Sequence, residues 1–190
     1  RLRAMLAAGD GPALEAVSRQ IDLVAEPFDL TIRIGLPSEP NLIARKLVEV
    51  DVGLYAAPGY LAAVTQPTRP QDLLDHACLR LADRPWRLES STGPEQVAVK
   101  GPITANNVGL LHRLALRGGG IVSLPKALAQ PDVASGRLVA VLPDWNPPKV
   151  VVYALTETKL LPAKVRVFVD FLTGRLNSGP ARTSELTTVR

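Results

Sequence analysis

Groups able to act as nucleophile, base or metal ligand are scarce in this chain of 190 residues: two histidines, His76 and His112, and one cysteine, Cys78. Hydrolytic chemistry needs a serine or cysteine held beside a base, and no G-x-S-x-G elbow is present. A zinc site wants about four ligands at short paired spacings, which two distant histidines and one cysteine do not supply. His76 stands beside an apolar helix face ahead of Cys78 and reads as a packing or capping residue. His112 neighbours Arg113 on the expected outer face of a helix and reads as solvent-exposed. Gly118, Gly119 and Gly120 follow a helix rather than precede one, and neither G-x-G-x-x-G nor G-K-[ST] is spelled out, so they read as a helix stop. Asp72 and Asp75 fall at a helix start, where the macrodipole favours carboxylates without any catalysis. No catalytic residue, metal ligand or cofactor is expected, and the chain is not read as an enzyme.

What remains is binding chemistry. The segment ITANNVGLL places Thr104, Asn106 and Asn107 where a strand feeds a helix. The first turn of a helix leaves backbone N–H groups without partners, which recruits anions and carboxylates. Plain capping by Asn106 is the alternative reading of the same residues.

The elements around this turn follow from pattern. Hydrophobic residues are 46% and charged residues 21%, the balance of a chain that buries a core, and with 4% aromatics that core is aliphatic. Seventeen prolines argue against long helices. A helix is plausible over 12–20. Alternation predicts strands over 28–34 and 47–55, then short helices near 58–63 and 71–77. Strands follow at 86–90 and 97–104, around the STGPEQ turn. Asn106 to Arg117 is helical, 121–125 a short buried strand, 126–136 a weak helix broken by Pro131, and 138–142 a strand. The apolar run 150–155 reads as a strand covered on both faces. A last helix opens at Pro162 with the stripe Val165, Phe168, Val169, Leu172 and Leu176. Alternating strands and helices imply an α/β fold with largely parallel sheets. The order allows two lobes joined by crossings near 47–55 and 138–149. Net charge is +4 with no basic cluster, and no apolar run approaches a membrane span.

Five stretches in register resemble the co-inducer domain of LysR-type transcriptional regulators: DLVAEPFDLTIRIG (22–35), LIARKLVEVDVGLYAAPGYL (42–61), PTRPQDLLDHACL (67–79), NNVGLLHRLALRGGGIVSLPKALAQPDVASGRLVAVLPDW (106–145) and LPAKVRVFVDFLTGRL (161–176). The resemblance implies two Rossmann-like lobes with a hinge, similar to type 2 periplasmic binding proteins. The first lobe would take 21–55 and 143–176, and the second 56–142. Residues 1–20 would be an irregular or partial first-lobe remnant, leaving that lobe incomplete, and 177–190 a disordered tail. It further implies a ligand cleft touched by Ile34, Gly35 and Leu36 on one side, and by Thr104, Asn106, Asn107, Gly120 and Ile121 on the other. The implied effector is a small organic acid or aromatic metabolite. DNA would be reached only through a helix-turn-helix domain absent from this sequence. The family is usually homo-oligomeric, and a cytoplasmic location without membrane contact is expected. A solute-binding protein of the periplasmic type shares the two-lobe logic and is the main alternative; a small enzyme is a third.

Overall fold

Alternation of apolar and polar residues forms the strands, and the points where it fails decide their ends. The computed structural model describes residues 29–35, 42–82, 84–158 and 160–177. Expectations placed on 1–28, on Leu36 and on the tail past residue 177 lie outside those residues. In chain order the elements are β1 (Thr31–Ile34), β2 (Ile43–Val50), β3 (Val52–Ala56), α1 (Pro58–Leu61), a 3-10 helix (Pro70–Asp75), β4 (Cys78–Leu79), β5 (Trp86–Ser90), β6 (Gly93–Val97), α2 (Val108–Leu116), β7 (Ile121–Pro125), α3 (Lys126–Ala134), β8 (Val139–Val141), β9 (Val150–Thr156) and α4 (Ala163–Asn177). The chain divides into two units. One runs to Glu49 and resumes at Val151; the other is Val50–Val150.

The alternating stretch 47–55 is two strands rather than one. The break falls at Asp51, whose carbonyl accepts the N–H of Lys126 at 2.8 Å and whose carboxylate faces Lys149 at 3.3 Å. β3 then runs through the centre of a four-stranded sheet in the order β4-β7-β3-β8, with all five residues buried. It pairs antiparallel with β7 and β8, while β4 and β7 are parallel. A central strand must be apolar on both faces, which Val52, Leu54, Tyr55 and Ala56 satisfy. One face packs against Leu61, Leu73, Leu88, Val97 and Val99, the other against Leu111 and Ala115 of α2 and Ala129 of α3.

Three other expectations shift. The hairpin closes earlier: β6 is Gly93–Val97, not 97–104, because Gly93 adopts φ +116° and ends the turn at once. Residues 103–105 instead line the outer edge of β4, where Arg80 N–H donates to Ile103 O and Ala105 N–H to Arg80 O. α3 passes through Pro131 without breaking. Its end is held by a Schellman pair, Gly136 N–H to Val133 O and Arg137 N–H to Asp132 O. His112 is not solvent-exposed. Its side chain is 16% exposed and its Nε2 lies 2.7 Å from Asp132 Oδ2, which ties α2 to α3. Arg137 sits against the other oxygen, Oδ1, as a charge contact without hydrogen-bond geometry. An isolated-helix view cannot find this partner, because Asp132 comes twenty residues later on another helix.

His76 is buried, as a packing or capping residue would be. It closes the 3-10 helix through its N–H to Leu73 O, and its Nδ1 lies 3.2 Å from the Tyr60 hydroxyl. Asp72 draws N–H donors from Thr68 and Arg69, the Thr68 hydroxyl and the Arg69 guanidinium. The Thr68 backbone bond leads in holding its carboxyl well below the usual range. That contribution is present above about pH 4 and fades as pH falls.

In the other unit the strand order is β1-β9-β2. Leu47, Ala154, Val165 and Val169 form its core, with Leu30, Val152 and Leu161 packed around them. β9 is half-buried over its first four residues and fully buried only over the last three. The stripe on α4 is narrower than its spacing suggests: Val165 and Val169 are buried, Phe168 and Leu172 are half-buried, and Leu176 is exposed. Val169→Ala is therefore expected to destabilise by about 2 kcal/mol. Phe168→Ala should fall short of the roughly 3–5 kcal/mol of a fully buried phenylalanine. Urea unfolding of the two variants checks both magnitudes; a Val169→Ala loss below about 1 kcal/mol, or a Phe168→Ala loss within the roughly 3–5 kcal/mol range, would contradict them.

Candidate functional site

The turn before α2 is built from the sheet outward. β4 and β7 run parallel, with Cys78 opposite Ile121 and Leu79 opposite Val122. Arg80, the next residue along, bridges to Thr104. The chain then leaves the sheet at its carboxyl end and enters α2. Asn107, not Asn106, is the N-cap: its Oδ1 accepts the N–H of Leu110 at 2.9 Å, and its carbonyl accepts that of Leu111. The first-turn amides of Val108 and Gly109 then have no acceptor within the helix. Gly109 suits the cap, since a Cβ there would lie 3.2 Å from Asn107 Oδ1. Thr104, Asn106 and Asn107 are exposed. In open α/β sheets, ligands meet the carboxyl ends of the strands, and the turn sits there.

The same end of this sheet is where the chain enters the unit. β3 begins at Val52, paired with Pro125 at the carboxyl end of β7. In the other unit, Ile34 and Gly35 are also at a crossing end. Ile34 pairs with Val152, Gly35 N–H donates to Val151 O at 2.9 Å, and Val151 is where the chain returns to that unit. Ile34 is 63% exposed, and Gly35 turns the chain with φ +82°.

Gly120 and Ile121 are placed differently. They begin β7, at the amino end, away from the Thr104–Asn107 turn. Ile121 is fully buried and its N–H donates to Ala77 O. Gly120 adopts φ +138°, and a Cβ there would stand 2.2 Å from the same carbonyl. The glycine run does stop a helix. Gly118, at φ +78°, donates to Ala115 O and Gly119 to Leu114 O, a second Schellman pair. Their geometry is that of fold support.

Arg80 is the residue the sequence did not single out. The available signal was a polar residue interrupting an apolar run, as in HACLRL. Cys78 lies beneath Arg80 on the same strand. Burial pushes its thiol up to about 12, against a smaller downward pull from Arg80. A thiol so placed is an inert packing group. Ellman's reagent is expected to label the folded chain at least tenfold more slowly than the urea-unfolded chain; equal rates would contradict this. Among the described residues, no cluster of three metal-ligating side chains occurs and no helix is long and apolar enough to cross a membrane.

Comparison with known proteins settles the class. The family described as the LysR substrate binding domain matches residues 3–177. The chain is 35% identical over 170 residues to the HTH-type transcriptional regulator PtxR of Pseudomonas aeruginosa, covering 86% of this chain and 54% of that protein. It is 37% identical over 159 residues to the HTH-type transcriptional regulator DmlR of Escherichia coli K12, covering 81% of this chain and 52% of that one. Among solved structures, full-length AphB, the virulence activator of Vibrio cholerae, superposes with a TM-score of 0.75 at 31% identity, over 90% of this chain and 60% of that one. The regulatory domain of AphB from Vibrio vulnificus gives 0.69 at 30% identity, over 90% and 88%. The chain belongs to the LysR substrate-binding domain family, with the two-lobed α/β fold of LysR regulatory domains. The chain spans about half the length of the curated relatives it matches. These relatives are regulators, which favours that reading over a periplasmic solute-binding protein.

Proposed function

We propose that this chain senses a small organic ligand for a DNA-binding regulator, and that the ligand's acidic group meets the first turn of α2. One observation carries the reading: in a LysR-family domain, Thr104, Asn106 and Asn107 expose polar side chains at the carboxyl end of β4, directly before the first-turn amides of α2. Gly120 and Ile121 serve by fixing the start of β7. The ligand is an organic acid or an aromatic metabolite, and no catalysis accompanies binding. The intact regulator reads DNA through a helix-turn-helix head, acts as a homo-oligomer and works in the cytoplasm. Ligand binding shifts a hinge equilibrium at the two crossings only as far as it prefers one state over the other.

Calorimetry with succinate, benzoate and related acids tests the proposal on the chain and on two variants. Asn107→Ala and Thr104→Ala should each weaken binding about five- to tenfold, the loss of one hydrogen bond of about 1 kcal/mol. Binding that ignores both changes would remove the ligand from this turn.

A further inference from the structure

We infer that the unit built from β1, β2, β9 and α4 holds a ligand site of its own, a pocket beside its core that takes a small uncharged aromatic molecule bearing one hydroxyl. The inference goes beyond the sensing turn, which belongs to the other unit.

The pocket follows from what the strands place on their inner face. Alternate residues of a strand share a face. On β2 these are Ile43, Arg45 and Leu47, and on β9 they are Val152, Ala154 and Thr156. Leu47, Val152 and Ala154 belong to the core of this unit. Further along the same face the side chains stop filling the space between the sheet and α4. A cavity of about 200 Å³ remains, walled by Leu30, Ile43, Ala154, Leu161 and Val169, with Arg45, Thr156 and Thr158 completing it. Protein interiors are close-packed, and few voids exceed a water molecule. This one opens directly off the core, since Leu30, Ala154, Leu161 and Val169 both line it and make up that core. Arg45 and Thr158 are the exposed members of the lining, so the pocket opens on their side.

Size, polarity and charge set the class of ligand. Apolar cavities of about 150 Å³ hold benzene, so this one admits a ring with a small substituent. Five of the eight lining residues are aliphatic, which asks for an apolar body with few polar atoms. The threonines supply the polar contacts. Buried Thr156 donates its hydroxyl to Thr158 O at 3.1 Å and keeps oxygen lone pairs free to accept. Thr158 Oγ1 accepts the Leu160 N–H at 3.1 Å and keeps its proton free to donate. One acceptor and one donor suit a ligand hydroxyl, which is both. Arg45 brings a positive charge, but Asp170 answers it at 3.0 Å. A carboxylate entering there would gain from Arg45 and lose to Asp170. An uncharged ring meets no such conflict and packs on the aliphatic stem of Arg45.

The test titrates phenol, toluene and benzoate into the whole chain and follows the methyl resonances of Ile43, Ala154, Leu161 and Val169. Phenol should shift these methyls saturably in the millimolar range and raise the Tm. Toluene should shift the same methyls, and benzoate at equal concentration should hardly move them. Thr156→Val keeps the shape and removes the acceptor, so it should weaken phenol about fivefold, as loss of one hydrogen bond does, and spare toluene. Thr158→Trp places an indole at the exposed mouth and should abolish saturable binding of both. If Thr156→Val fails to fold by circular dichroism, Thr158→Trp decides. Methyls that phenol and toluene leave unmoved while the chain stays folded overturn the site, as do methyl shifts that survive Thr158→Trp. Benzoate that moves these methyls as strongly as phenol overturns the uncharged class, and phenol binding indifferent to a folded Thr156→Val overturns the hydroxyl contact. None of these results bears on the α2 turn, whose readouts are the amides of Asn107, Val108 and Gly109.

Discussion

Gly120→Ala is expected to destabilise the chain by about 3 kcal/mol or more, through backbone strain and a forced clash together. The added methyl would lie 2.2 Å from Ala77 O and 2.9 Å from the carbonyl carbon, and backbone cannot swing aside as a side chain can. The same carbonyl accepts the Ile121 N–H at 2.9 Å, the bond that seats β7 beside β4. Relief of the clash would therefore unseat Ile121, which is fully buried in the core. Positive φ at this position, +138°, adds strain for any residue with a Cβ. For a chain of this size, 3 kcal/mol corresponds to a fall in Tm of roughly 6–12 °C. A thermal melt decides the matter. A shift below about 2 °C, well under that range, would contradict the structural role and return Gly120 to the list of ligand contacts.

Asp132→Ala is expected to cost on the order of 3 kcal/mol, because it removes the acceptor of a largely buried side-chain hydrogen bond. The Asp132 side chain is only 5% exposed, and His112 at 16% is scarcely more open. Alanine would leave the His112 ring nitrogen without its 2.7 Å partner and would detach α2 from α3. Asp132→Asn should recover part of the loss, because its amide oxygen can still accept from the imidazole. Arg137→Ala should change little, since that side chain is 64% exposed and meets the carboxylate from solvent. Urea unfolding of the three variants tests the ranking. An Arg137→Ala loss equal to that of Asp132→Ala would mean that the exposed cation, not His112, secures the carboxylate.

These two sites show where sequence patterning stops. The strands over 31–34, 86–90, 121–125 and 150–156 follow from local alternation and apolar runs, and the helix after Asn107 follows from its cap and spacing. Pairing is not local. Nothing near His112 announces Asp132, and a surface reading was the natural outcome of viewing one helix alone. Gly120 looked like one more residue of a helix stop until the fold brought Ala77 beneath it. The turn at Thr104 to Asn107 was visible because its residue types and its place between strand and helix are local facts. The parallel pairing of Cys78 with Ile121 was not, because it joins residues about forty positions apart.

The central claim is that an acidic ligand meets the first turn of α2, and amide NMR of the chain titrated with succinate or benzoate tests it most directly. The backbone resonances of Val108 and Gly109 and the side-chain amide of Asn107 are predicted to shift together and to saturate at the calorimetric Kd. Those of Gly120 and Ile121 should stay nearly still. Saturating binding that leaves the α2 turn unmoved, with the largest shifts at Gly120 and Ile121 or elsewhere in the chain, would contradict the account.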